Sequence, residues 1–300
     1  MRRLPLDVVE LKADGSRLRL VPAAGGAVAR YWREGTPIRE WLRPAAVEAL
    51  SRGDRYETAA FPLVPYSNRI RDGRFLFRGR AVALPLNRPP ERHSVHGHGW
   101  QAAWRALETS ASAALLEYRH PADAWPWAYR ATQRFTLTPA GLGVELTLAN
   151  ESDSPMPAGL GWHPYFPRTP HTTITAGVRA MWLTDGEMMP TALAAEPPVA
   201  ALERGVAADA VALDNCFTGW SGRAVIEWPE LGARLTMTAE APLDFLVVYT
   251  PPRRPYFCVE PVSHMTDAVN QAATGRADAG LRVLEPGELV RAAITLTPEG

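Results

Sequence analysis

Alternation with a period of two, cut at short intervals by turn residues, constrains this chain more than any other feature. Leu18-Arg19-Leu20, Phe75-Leu76-Phe77, Val144-Glu145-Leu146-Thr147-Leu148, Leu235-Thr236-Met237-Thr238 and Ile294-Thr295-Leu296-Thr297 place an apolar side chain at every second position. That spacing belongs to strands with one buried face. Asp14-Gly15, Gly25-Gly26, Asp72-Gly73, Arg78-Gly79, Ser221-Gly222 and Pro286-Gly287 punctuate the strands with tight-turn chemistry. Helical signal is confined to residues 44–50 (PAAVEAL), with proline in the first turn, and to residues 265–273. The lack of a second helical layer counts against α/β folds built on a parallel sheet, and many short strands joined by tight turns predict an all-β chain, either an antiparallel barrel or a large antiparallel β-sandwich. Glycine and proline are spread through the sequence and mark no linker, so residues 1–300 are expected to form one domain.

Charge narrows the partner. Lys+Arg and Asp+Glu both number 32, so no field of one sign draws nucleic acid or an acidic membrane surface. A small neutral molecule fits better. Lys12 is the only lysine, and any Schiff-base chemistry would rest on it alone. Two cysteines, Cys216 and Cys258, do not make a disulfide framework and read as free thiols of a reducing compartment. The opening MRRLPLDVVELKADG has no uninterrupted apolar run before Asp7 and Glu10, so neither a signal peptide nor a membrane anchor is expected, and the cytoplasm is the expected location.

Five segments escape the alternation and read as irregular: 61–71, 86–100, 159–168, 213–220 and 249–270. They hold most of the histidines and the acids that lie beside aromatic rings. HSVHGHGW (93–100) follows a proline-rich loop and sets three imidazoles between glycines. Clustering on such backbone favours a proton-transferring or ligand-gripping role for at least one of them. The H-x-x-H-x-H spacing of His93, His96 and His98 also offers a metal site, although no cysteine stands nearby to complete a structural zinc centre. GWHPYF (161–166) places His163 among aromatic side chains, where it is either core or an acid–base group in a sugar site. Glu260 ends an apolar run, and burial there should raise its pKa above the unperturbed ~4.3 and make it a better base near neutral pH. Asp214, in LDNCF, has the same character or simply forms an Asx turn.

Together these pieces resemble the aldose 1-epimerase (galactose mutarotase) family. The matching signatures are PYSNRI (65–70), Gly73-x-Phe75 with Gly79, His96-Gly97, GWHPYF, LDNCF (213–217) and the VEP…D..N run over 259–270, in the family's order. The resemblance implies a β-sandwich with an open cleft, no cofactor and no metal, and interconversion of the α and β anomers of a free monosaccharide. It implies Glu260 as general base, His163 as general acid, His96 as the second active-site histidine, and Arg69 and Asp214 as ligands of sugar hydroxyls. Asn68 is expected to shape the same corner. At HGHGW this chain has His98 where many family members have a second glycine, and His96, at the His-Gly junction after Val95, is the expected site residue. Trp100, Trp162 and Phe217 are the expected stacking wall. Three other functions remain: a hexose-phosphate epimerase gripping phosphate through Arg71, Arg74 or Arg253-Arg254, a sugar-binding module without catalysis, and a metal-dependent isomerase built on His93, His96 and His98.

Overall fold

The computed structural model describes residues 7–46, 48, 50 and 54–300. Turn chemistry sets its hairpins. Asp14 and Gly15 both take positive φ, 41° and 76°, and join Val9–Ala13 to Ser16–Val21; Arg78 and Gly79, at 46° and 81°, join Arg74–Phe77 to Arg80–Ala83. A two-residue turn with both central residues left-handed carries the twist that adjoining antiparallel strands need.

Among the described residues the strands gather into one 11-stranded and one 9-stranded sheet, every named pair antiparallel, with three small two-stranded ribbons. The larger sheet runs from Val9–Ala13 through Ala27–Arg33, Ala60–Leu63, Gly161–Pro167, Tyr256–Val262, Phe245–Tyr249 and Asp214–Thr218 to Pro190–Ala194. The two sheets share one apolar cluster. Leu18, Trp162, Phe166, Phe217, Leu246, Val248 and Phe257 of the larger sheet meet Phe135, Val144, Leu146, Ile226, Leu235 and Leu296 of the other. Pro197–Arg204 and Ala268–Ala273 are short α-helices that accompany them. The second falls inside the helix expected over 265–273; the one expected over 44–50 falls partly outside the described residues. No helix among the described residues is long and apolar enough to cross a membrane.

Three of the segments that the sequence marks as irregular are strands at the centre of the larger sheet: Gly161–Pro167, Asp214–Thr218 and Tyr256–Val262. Gly161–Phe166 and Phe257–Val262 are buried on both faces, which erases the alternation that announces a half-exposed strand. Pro164 and Pro261 disguise them further, because proline in a run argues against a central strand.

Candidate active site

Those prolines have a structural counterpart. Gly161–Pro167 and Tyr256–Val262 pair at Gly161 with Val262 and again at Tyr165 with Cys258, but no pairs register between. Pro164 and Pro261 lack the N–H that a ladder bond needs. The gap falls where His163 and Glu260 stand opposite one another, with His163 Nε2 3.3 Å from Glu260 Oε1. On the far side His163 pairs with Phe61, and Glu260 with Val247. Strand alternation puts Phe61, His163, Glu260, Val247, Tyr165, Cys258 and Tyr249 on the face turned away from the sandwich interior.

A loop corner closes over that face. Arg69–Ile70 pairs with Ser94–Val95, and the next residues on both arms lock together. The Asn68 N–H donates to His96 Nδ1 (3.1 Å), and the His96 N–H donates to the Asn68 carbonyl (2.8 Å). Both residues sit at positive φ, 55° and 63°. Because Nδ1 accepts, the neutral ring of His96 carries its proton on Nε2, leaving a donor free for a ligand. Gly97 (φ 68°) must be glycine, since a Cβ there would lie 2.1 Å from the Val64 carbonyl oxygen. Asn68 Oδ1 accepts from the Arg69 backbone (2.9 Å) and guanidinium (3.2 Å), and Arg69 also pairs with Asp214 (3.5 Å) and Glu91 (3.4 Å). Asp267 and Asn270 serve this corner from behind. Asp267 Oδ1 accepts from Arg71 N–H (3.0 Å) and from the Asn270 amide (2.7 Å), so the D..N part of the last motif positions PYSNRI and does not face the cleft.

The resulting cleft encloses about 470 Å³, and Asn68, Arg69, His96, His163, Asp214 and Glu260 all line it. This volume suits a small ligand. Its aromatic wall is made by residues the sequence reading passed over: Tyr56, Tyr249 and Tyr256, together with Tyr165. Arg43 stacks on Tyr165 (4.1 Å) and Tyr256 (4.4 Å), and Arg88 lies over Tyr56 at 4.0 Å. Tyr165 and Tyr249 share the strand parity of His163, which is the signal that finds them.

The same parity overturns the expected stacking wall. Trp162 precedes His163 and so points to the opposite face, wholly buried in the shared core, and Phe217 lies there too. Trp100 packs beneath Tyr56, ring centroids 4.7 Å apart, and does not line the cleft. Trp162→Phe is therefore expected to lower stability by about 1–3 kcal/mol while leaving the KM for any sugar unchanged. Thermal melts with steady-state kinetics check this, and a raised KM in a stable variant contradicts it. The three histidines of HSVHGHGW also diverge. His93 Nδ1 accepts from the Asp72 N–H (3.1 Å), while His98 stacks on His120 at 4.5 Å and contacts the Tyr129 hydroxyl. His96 alone of the three faces the cleft, so the trio assembles no metal site.

Burial dominates the electrostatics. It pushes Glu260 well above the ordinary carboxylate value, with Asp214 adding to the rise, and takes His163 down to about 3. His96 is held well below an ordinary imidazole by burial and by neighbouring His163. Both shifts favour the neutral forms, so a proton held by the pair rests on the Glu260 carboxyl in preference to the His163 ring.

The chain matches the aldose 1-epimerase family model over residues 7–297. It is 32% identical over 302 residues to the uncharacterized protein YphB of Escherichia coli (strain K12), covering 96% of this chain and 97% of that one. A solved structure from Escherichia coli K12 superposes with a TM-score of 0.88 at 28% identity, spanning 98% of this chain and 99% of the other. A galactose mutarotase-like protein from Clostridium acetobutylicum shares the fold, with a TM-score of 0.84 at 19% identity over 97% and 94% of the two chains. The family match across nearly the whole sequence and a full-length relative at 32% identity agree: this chain belongs to the aldose 1-epimerase family.

Proposed function

We propose that the protein interconverts the α and β anomers of a free aldose by acid–base ring opening, with Glu260 as base and His163 as acid. The observation that carries this is the 3.3 Å contact between the two side chains on the cleft floor. The hydroxyl oxygen and the ring oxygen are both bonded to the anomeric carbon, so an acid and a base that serve them must converge on one spot. When sugar hydroxyls hydrogen-bond the carboxylate, its charged form is favoured and the shared proton passes to His163. Glu260 then takes the C1 hydroxyl proton, the C1–O5 bond breaks, and His163 protonates O5. Rotation about C1–C2 turns the aldehyde, and the reverse transfers close the ring as the other anomer. Only protons move, so the reaction as written requires no cofactor. His96 Nε2–H donates to a sugar oxygen, while Arg69 and Asp214 hold hydroxyls so that the reacting atoms keep their alignment.

Polarimetry on freshly dissolved α-D-glucose and α-D-galactose tests the reading. Catalytic amounts of protein should hasten the approach to the equilibrium rotation, and no acceleration with any aldohexose or aldopentose would sink it. A second reading rests on Arg88 and Arg254, which line the cleft without an acidic partner among the described residues. They suit a phosphorylated hexose. Arg71 pairs instead with Asp185 (3.6 Å). A kcat/KM for glucose 6-phosphate far above that for glucose selects the second reading.

A further inference from the structure

Just beneath the cleft floor lies a third group that the sugar chemistry leaves unused. Cys258 lies two residues before Glu260 on the same strand and opposite Tyr165, so its thiol stands on the same face as His163 and Glu260. The His163 nitrogen, Glu260 oxygen and Cys258 sulfur all lie within 4.8 Å of one another, and all three residues are buried. We infer that these three side chains form a binding site for one thiophilic divalent cation, zinc being the type, and that ion and sugar exclude each other from the cleft.

The donor set decides the class of ion. Imidazole, thiolate and carboxylate are the ligands of zinc, whereas magnesium and calcium demand oxygen throughout. A tetrahedral zinc with bonds of about 2.0–2.3 Å brings its ligand atoms to roughly 3.5 Å from one another. His163 and Glu260 already meet that spacing at 3.3 Å, and the Cys258 sulfur lies within 4.8 Å of both. Three protein ligands leave the fourth position facing the cleft, open to water. On binding, the protons held by the thiol and the carboxyl leave to solvent and the metal takes their place. An ion so held occupies both groups that would move the sugar's protons. The inhibition therefore rests on the function proposed above; the binding does not.

Two measurements on the purified protein test the site separately from turnover. Cobalt(II) should give one equivalent of a near-ultraviolet thiolate-to-metal absorption, and zinc titrated by calorimetry should bind with the same stoichiometry. Cys258→Ser and Cys258→Ala should both lose the cobalt band and weaken zinc by at least the ~10- to 100-fold that loss of even an outer-shell partner costs a metal site. In polarimetry zinc should raise the apparent KM without lowering the extrapolated kcat, a chelator should restore the rate, and both variants should turn over sugar while resisting zinc. Absence of the band and of zinc binding, or a band that persists in both variants, overturns the inference. Zinc binding in a protein that turns over no sugar leaves the site standing and removes the function instead.

Discussion

Glu260→Gln is expected to slow mutarotation by about 10²- to 10⁴-fold, the share a placed proton acceptor contributes, without loss of the fold. The amide keeps the shape of the carboxyl group that burial favours, and its oxygen still faces His163 across the ladder gap. What it cannot do is take a proton. Polarimetry with equal concentrations of variant and parent, beside thermal melts by circular dichroism, separates the two effects. A rate within tenfold of the parent would remove Glu260 from the mechanism.

His163→Asn should cost a similar factor, and the Glu260→Gln/His163→Asn double variant little more than either alone, since the pair acts as one unit. The parent's pH profile carries the sign of the buried pair. Its working form holds one proton. The second proton, which would enter His163, does so only near pH 3, so activity should rise as pH climbs through about 3 and show no second rise where free imidazole titrates. It should fall only when the last proton leaves Glu260, above the ordinary carboxylate range. A limb on which activity drops as pH falls through ~6.5 would assign the essential proton to an ordinary imidazole and contradict this pairing.

Much of this molecule is legible in its sequence. Strands such as Gly141–Asn150 and Ala233–Ala239 declare themselves through alternation, because one face packs on the core and the other meets water. The chemical groups Glu260, His163, His96, Arg69, Asn68 and Asp214 all line one cleft, although they come from segments nearly 200 residues apart. The central strands stay hidden because two-sided burial and Pro164 and Pro261 remove their pattern. Treating GWHPYF as irregular also discards its parity, and with it the reason why Trp162 cannot join His163 in the cleft. Tyr56 and Arg88 sit on loops whose placement depends on distant contacts, such as Arg43 with the carbonyls of Tyr56 and Thr58 at 2.6 and 2.7 Å, and no local spacing announces them.

The reciprocal bonds between Asn68 and His96 bear on any attempt to re-engineer the sugar preference. Neither arm can be transplanted from a relative by itself: a donor segment spanning 64–70 arrives without the ring nitrogen that receives its amide, and one spanning 93–99 without the carbonyl that fixes its left-handed histidine. Chimaeras should exchange both arms as a single cassette, with Asp267 and Asn270 retained as the mount to which it is bolted.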